Sequence, residues 1–332
     1  NGYPGSDVIG RGYNVFGEYA NGKSITHYPL FDFTKMKVSK NVYDHSIPKI
    51  IRIENLSNHV IKTVEGKTKK EYITDLSENM GLSGKAFFFK ASIENEFTKS
   101  TSSTSDFFYY TYMDINSKWR INLDTRNYDT LRSYLDAQFE LDLNNLEPKE
   151  LFELYGSHFI TNGYLGGRID YSTATEMNNF VSTTEVKTAI NAKYMAIKGS
   201  AEFDDRSKQI LQNVNTSSST TVVGGNSEFT NNINDADQYN KWAEGIKSKP
   251  VLSGFGDKGL KPIWLLAKTK ERQSELENYF ITVILPTYPI PSFYKKDDVL
   301  DNESLTQTFR LIIDGFVIHK DCDNYLLTGD EA

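Results

Sequence analysis

The sequence is poor in cysteine and histidine and has no long apolar run, and each shortage removes a class of molecule. Its single cysteine, Cys322, cannot form an internal disulfide, which excludes a disulfide-stapled scaffold. The five histidines, His27, His45, His59, His158 and His319, are scattered, with no paired-ligand spacing such as H-E-x-x-H. Asp321-Cys322-Asp323 is too short for a calcium loop and lacks the closing bidentate Glu. No G-x-S-x-G nucleophile elbow occurs. Enzyme chemistry therefore has no residue support, and no catalytic residue, metal or cofactor is expected. No apolar stretch approaches the roughly 18 residues of a transmembrane helix. A net charge of −7 gives the chain as a whole no attraction for nucleic acid or an anionic membrane surface. Asn1 is followed by no signal-peptide pattern, so either a targeting segment has been removed or the sequence starts after one. The resting molecule is expected to be water-soluble and monomeric.

What is abundant is aromatic. Twenty Tyr and twenty Phe in 332 residues suit wide sheets, and the length allows one large domain with a smaller appendage. Lys49 to Val64 reads as an interrupted strand, Asp106 to Leu123 as a long aromatic one, and Gly166 to Ala174 as a third. Thr220-Thr221-Val222-Val223 reads as a fourth, ending in the pair Gly224-Gly225. Helical spacing appears at Tyr72, Ile73, Leu76 and Met80, at Leu151, Phe152, Leu154 and Tyr155, and around Trp242. Pro148 suits the first position of its helix. Thr269 to Leu285 reads as a last helix, and Pro286, Pro289 and Pro291 then break regular structure. We place a domain boundary there, giving units 1–285 and 286–332. Asp314-Gly315 predicts a hairpin turn within the β-rich second unit.

One apparent motif is rejected. Gly17-Glu18-Tyr19-Ala20-Asn21-Gly22-Lys23-Ser24 has the P-loop spacing, but such a loop needs a helix behind it to face the phosphates. Ile25 to Phe33 alternates like a strand and contains Pro29, so an Asn21-Gly22 hairpin turn is expected instead.

The most informative stretch is Tyr155-Gly156-Ser157-His158-Phe159, followed by Gly166-Gly167. It reads as a helix terminus, a tight connection and a strand with a corner. Gly156 supplies a special backbone angle, the Gly-Gly pair a bend or a close backbone approach, and His158 a hydrogen-bonded lock without catalysis. This stretch resembles the signature of the membrane-attack-complex/perforin (MACPF) family. Gly10 to Gly17, Val222-Val223-Gly224-Gly225-Asn226, and Tyr239-x-x-Trp242 with Lys249-Pro250 fall in the family's order. The resemblance spans about residues 10–285. It implies an α+β fold: a strongly bent four-stranded antiparallel sheet, as in cholesterol-dependent cytolysins, flanked by two helical clusters. A small β-rich C-terminal segment follows.

The resemblance also places two insertable clusters, at about Lys67 to Thr104 and Asn178 to Ser219, with hinges at Gly166, Gly167, Gly224 and Gly225. In the second cluster Val186, Thr188, Ile190, Ala192, Tyr194 and Ala196 share one face if extended. Val186, Ile190, Tyr194 and Ile197 also make a helical stripe, which an ordinary amphipathic helix explains equally well. In the first cluster Phe87, Phe89 and Ile93 alternate with polar neighbours and with Phe88. These residues, with Val186, Ile190, Ala192 and Tyr194, are the candidate membrane-inserting positions. The Ser/Thr runs Ser100 to Ser105 and Ser217 to Thr221 read as flexible linkers and unfolding points.

The function so implied is a secreted or surface-exposed pore-forming protein, an antibacterial toxin among the options. It would oligomerise as a ring on a target-cell membrane through an unknown surface receptor. A barrel in lipid must close, and one chain cannot close it. The Lys/Asn/Ile/Tyr-rich composition and the lack of disulfides point to a bacterial source. A non-lytic adhesin or host-binding module is the alternative. Many charges in the second cluster, among them Lys187, Lys193, Asp204, Asp205 and Arg206, are costly on a lipid face.

Overall fold

The computed structural model describes residues 5–40, 46–56, 59–97, 107–178, 180–226, 228, 233–246, 248–290, 310–313, 316–321 and 324–329. The chain divides into two compact units. The first holds residues 1–101 and 106–292, and the second holds 102–105 and 293–332.

The first unit opens with a two-residue strand, β1 (Gly12–Tyr13), and a ribbon of β2 (Val38–Lys40) and β3 (Ser46–Pro48). β4 (Ile51–Asn55) and β5 (His59–Gly66) follow, then helices α1 (Lys69–Ser77) and α2 (Lys90–Glu96), then the 17-residue strand β6 (Phe107–Leu123). Helices α3 (Tyr128–Arg132), α4 (Ala137–Asn145) and α5 (Pro148–Tyr155) lead to β7 (His158–Ile160) and the 15-residue β8 (Asn162–Glu176). Helices α6 (Thr183–Ile197) and α7 (Asp205–Gln212) separate β8 from β9 (Asn215–Val223). α8 (Ala236–Ile246), β10 (Val251–Phe255), β11 (Leu260–Pro262) and α9 (Lys270–Tyr279) complete the unit.

The main sheet is antiparallel throughout. β6 and β8 pair along nearly their whole length, from Phe107 opposite Glu176 to Asn122 opposite Asn162. On the far side of β6 lie β4 and β5, two lengths of one edge. On the far side of β8 lie β9 and β10, two lengths of the other. In cross-section the sheet is therefore four strands wide, as expected.

The interruptions line up across it. One edge breaks between Asn55 and His59, and β6 changes register between Ser117 and Trp119. β8 carries Gly166 and Gly167 opposite that shift, and the other edge passes from Val223 to Val251. A bulge bends its strand and raises local twist, so this line is where the sheet turns.

The long strand pair is buried on both faces, and the alternation of β6 sorts two cores. Tyr109, Met113 and Ile115 enter one, with Tyr72, Ile73 and Leu76 of α1 and Phe87, Phe88, Phe89 and Ile93 beside α2. Phe108, Tyr110 and Tyr112 enter the other, with Val186, Ile190 and Tyr194 of α6 and Tyr239, Trp242 and Ile246 of α8. Each helical cluster thus covers one face.

Local sequence starts these helices. The Thr68 side chain accepts from Glu71 N–H, Ser182 and Glu185 form a reciprocal capping box, and Asp204 caps α7. Pro148 takes the first turn of α5, where no intrahelical N–H is needed.

Three expectations change. Phe87, Phe88 and Phe89 are all buried, so their alternation is not that of a strand. Phe89, at φ 53°, instead opens α2. Ser217 to Thr221 is not a linker but the body of β9, in register with β8 from Arg168–Val223 to Glu176–Asn215. Its hydroxyls find partners: Thr216 and Thr175 lie 3.0 Å apart, and Ser219 Oγ donates to the Glu96 carbonyl. Gly22–Ser24 is a single 3-10 turn capped by Asn21, not a hairpin turn, and Lys23 pairs with Glu18. Ser100 to Ser105 lies outside the described residues.

The chain stays with the first unit past Leu285, since the Tyr288 ring stacks on Phe16 at 3.8 Å. The second unit contains an antiparallel sheet, β12 (Arg310–Ile313), β13 (Phe316–Asp321) and β14 (Asn324–Gly329), with Ile313 opposite Phe316. Asp314-Gly315 itself lies outside the described residues.

The glycine pair gives a graded expectation. A Cβ on Gly166 would stand 2.0 Å from the Asn116 carbonyl oxygen, which is fixed in the sheet. One on Gly167 would stand 2.7 Å from Ile246 and 2.9 Å from Trp242, side chains that can shift. Gly166→Ala should cost about 3 kcal/mol and Gly167→Ala about 1–2. Urea unfolding measures both, and a Gly166→Ala variant as stable as the parent would contradict the close approach.

Candidate functional site

The signature stretch builds the corner beside the sheet. α5 ends at Tyr155, whose hydroxyl donates to Asp142 Oδ2 at 2.6 Å. Gly156 turns the chain at φ 70°, a left-handed value that favours glycine. β7 then runs between β1 and β11, with His158 opposite both Tyr13 and Pro262. The His158 ring is fully buried. It packs edge-on against Trp264 at 5.5 Å and Phe280 at 5.4 Å, and its Nδ1 lies 2.9 Å from Ser157 Oγ. Burial pushes its pKa down to about 3, so it stays neutral. The lock expected of hydrogen bonds is mainly one of aromatic packing, since Nε2 has no hydrogen-bond partner. Phe159 fills the core against Phe31.

At the end of β9, beside the turn of the sheet, Gly224 and Gly225 take φ values of 71° and 76°. A Cβ on Gly225 would meet the Trp242 indole at 2.3 Å, while Trp242 Nε1 donates to the Gly224 carbonyl. Next to Gly167, the Arg168 guanidinium donates to the carbonyls of Tyr19, Ala20 and Ser253 and pairs with Asp170 at 2.7 Å. This buried ion pair ties β8 to the N-terminal segment and to β10 across the turn of the sheet.

The second cluster is clasped to its face at one carboxylate. Asp114, in mid-β6 and fully buried, accepts from Tyr194 OH at 3.2 Å and Tyr239 OH at 3.0 Å. It pairs with Lys198 Nζ at 2.9 Å and meets His59 Nδ1 at 3.0 Å. Desolvation alone would raise its pKa, but the His59 and Lys198 contacts hold it below the usual carboxylate value. Around this clasp lie Val186, Ile190 and Tyr194, all buried. Ala192, half-buried, stands off the interface, so the helical stripe rather than the extended face describes the resting state.

The first cluster has a different clasp on the opposite face. Glu96 of α2 is buried, and its Oε2 accepts from Tyr72 OH at 3.3 Å and Ser172 Oγ at 3.1 Å. Thr111 joins the same group, its hydroxyl 2.7 Å from Tyr72 OH and 2.8 Å from Ser172 Oγ. Desolvation first, and the Asp170 charge second, push the Glu96 pKa up, so Glu96 holds its proton at neutral pH.

The structure therefore brings Gly166, Gly167, Gly224 and Gly225 to one line. It puts the two sets of candidate inserting residues on opposite faces and holds Tyr155 to Phe159 apart from both, in the corner. Asp114, Glu96, Arg168 and Asp170 were missed by sequence reading. For Asp114 the available signal was a carboxylate within the long aromatic strand, two residues after Tyr112. For Arg168 and Asp170 it was opposite charges two residues apart on one strand; Glu96, on a helix, carried no such signal. Among the described residues no set of three His, Cys, Asp or Glu gathers as metal ligands would, and no helix is long and apolar enough to cross a membrane.

Together these features define a mixed α+β domain in which a four-strand antiparallel sheet carries a helical insertion on each face. A family model for the MAC/Perforin domain matches residues 2–255, and the chain belongs to that family. Among solved structures it is similar to GNIP1Aa from Chromobacterium piscinae, at 27% identity and a TM-score of 0.76. That match covers 95% of this chain and 64% of GNIP1Aa. It is also similar in fold to a putative cell invasion protein with a MAC/Perforin domain from Bacteroides thetaiotaomicron, at 18% identity and a TM-score of 0.64. That match covers 82% of this chain and 59% of the other. The chain thus spans less than two thirds of either relative. No match was found among curated proteins.

Two outcomes follow from the clasps. Asp114→Asn leaves Lys198 without its counter-charge and should cost about 3 kcal/mol, toward the low end for a broken buried pair because Lys198 is partly exposed. Hydrogen exchange should quicken in α6 and α8 and stay unchanged in α1, which lies across the sheet; uniform quickening would contradict a local clasp. For Glu96 the folded pKa lies above the unfolded value of about 4.5. Its stabilising contribution is complete below pH 4.5 and is lost as pH rises toward the folded value. Denaturant titrations across pH should show this alkaline decline, by about 1.4 kcal/mol per unit at most, and Glu96→Gln should flatten it.

Proposed function

We propose that this protein is a secreted or surface-exposed pore-forming protein that acts on a target-cell membrane as a ring of identical chains. The observation that carries the reading is continuity of the chain. α1 and α2 lie between β5 and β6, and α6 and α7 lie between β8 and β9, so each cluster is bounded by two strands of the sheet. Unwinding a cluster would lengthen both of its strands. A spanning strand needs roughly 9 to 11 residues, which each cluster can supply twice. Pairing of backbone groups in lipid then demands a closed barrel, hence several subunits. Hinge roles for Gly166, Gly167, Gly224 and Gly225 belong to this proposal. So do insertion of Phe87, Phe89, Ile93, Val186, Ile190, Ala192 and Tyr194 and a bacterial, antibacterial setting. The unit from Phe293 onward is proposed to aid target selection through an unidentified surface receptor.

A non-lytic adhesin is the second reading, and α7 favours it. Asp205, Arg206 and Lys208 crowd one short helix that starts at the Asp204 cap, where a lipid-facing hairpin would alternate.

A reversible lock separates the two readings. Glu65 on β5 and Lys187 on α6 form an ion pair at 2.5 Å, and both are partly exposed. Cysteines at these positions, in a Cys322→Ser background, can be bridged by a short reducible thiol crosslinker. The bridged protein should bind target cells but release no dye from them, with release restored on reduction. Equal permeabilisation by the bridged and reduced forms would reject insertion of the second cluster.

A further inference from the structure

A cleft of about 300 Å³ opens at the end of the sheet where β6 finishes and β8 begins, and no residue of either helical cluster is among those lining it. Arg52 of β4, Arg126 after β6, Lys258 before β11 and Lys261 within it line this cleft, together with Asp124 and Asp257. Four cations thus face two carboxylates in a protein whose net charge is −7. One of the carboxylates is already spoken for. Asp124 accepts from Arg126 Nε at 2.9 Å and from its Nη2 at 2.5 Å, a two-point pair that fixes the Arg126 plane at the rim. Arg52 adds its charge to the same Asp124, and Lys258 and Lys261 form no ion pair among the described residues.

The cleft wall is held in shape. Lys258 sits at φ 50°, a left-handed conformation unusual for a side-chain-bearing residue. Three hydrogen bonds hold the turn there. Lys258 N–H donates to the Asn79 carbonyl at 2.6 Å, Thr161 Oγ1 donates to the Lys258 carbonyl at 2.9 Å, and Asn162 Nδ2 donates to the Asp257 carbonyl at 3.1 Å. Backbone strain retained by surrounding bonds, beside two lysines without an ion pair among the described residues, is an arrangement found at ligand sites. The Asn79 bond joins this turn to the first cluster, just past the end of α1.

We propose that this cleft binds a phosphate monoester group, held by Arg52, Lys258 and Lys261. The excess of two positive charges matches the charge of about −1.5 to −2 that such a group carries at neutral pH. The planar Arg52 fork suits two phosphate oxygens, and the two lysines act as mobile point charges. A volume of this size is at the lower end of small-ligand pockets, enough for the phosphate and a few attached atoms. The group can belong to a free phosphorylated small molecule or to a lipid headgroup.

The test uses the whole chain with three probes: inorganic phosphate, glycerol 3-phosphate, and phosphatidylcholine vesicles with or without phosphatidic acid. Calorimetry and vesicle co-sedimentation are run at fixed ionic strength against chloride. Saturable binding of glycerol 3-phosphate or phosphate, without vesicle binding, assigns a free ligand. Binding only to vesicles containing phosphatidic acid assigns a headgroup. In either case Lys261→Gln and Arg52→Gln should each weaken binding about tenfold or more, and Asp257→Asn should tighten it. These side chains are at least partly exposed, so the variants should melt with the parent in the absence of ligand. No saturable binding of any probe, or equal binding by parent and both Gln variants, would overturn the proposal.

Discussion

The pairing of β6 with β8 leaves both faces of a long aromatic ribbon to be covered, and the rest of the first unit is arranged to do so. Tyr109 and Met113 face one way, Tyr110 and Tyr112 the other. A sheet exposed on either side would present a stripe of rings to water, at roughly 1.5–3 kcal/mol for each large side chain. One face takes α1 and α2, the other takes α6 and α8. The clusters are therefore part of the fold's stability in the resting state. Any change that lifts one away must provide another apolar surface in its place.

Polar groups set where each cluster sits on its face. Apolar contact is non-directional and would tolerate sliding, whereas Asp114 meets Tyr194, Lys198 and Tyr239 at fixed distances and so fixes the register of α6 and α8. Glu96 does the same for α2 by a neutral network with Tyr72, Thr111 and Ser172. The chemical difference matters. An ionised clasp is weakened by loss of a counter-charge, a protonated one by loss of its proton. The two faces of the sheet are thus held by devices that respond to different conditions.

The turn in the sheet follows from a line of local faults. Two broken edges, a register shift in β6 and a glycine pair in β8 coincide. Arg168, with Asp170, bridges the fault from beneath, binding carbonyls of Tyr19, Ala20 and Ser253. The glycines permit close approach, since neither Gly166 nor Gly167 takes a positive φ, whereas Gly224 and Gly225 do. One pair makes room for neighbouring chain, and the other turns the strand end under Trp242.

Much of this was legible in the amino-acid sequence because it rests on local patterns. The aromatic alternation from Phe107 onward, the break in the strand before His59, the Pro148 start of α5 and the Gly-Gly corners each carry their own signature within a few residues. So does the helical stripe of Val186, Ile190 and Tyr194. Other features depend on partners distant in sequence, and only the tertiary structure decided them. Ser217 to Thr221 reads as a linker until β8 offers it a ladder, and Phe87 to Phe89 alternates on paper but is buried throughout. His158 looks like a hydrogen-bonding residue until Trp264 and Phe280 close on it. The clasps at Asp114 and Glu96 and the cleft at Lys258 join residues far apart in sequence, 125 positions from Asp114 to Tyr239 and more from Asn79 to Lys258. No local period records such a contact, because burial and charge pairing are properties of the assembled faces.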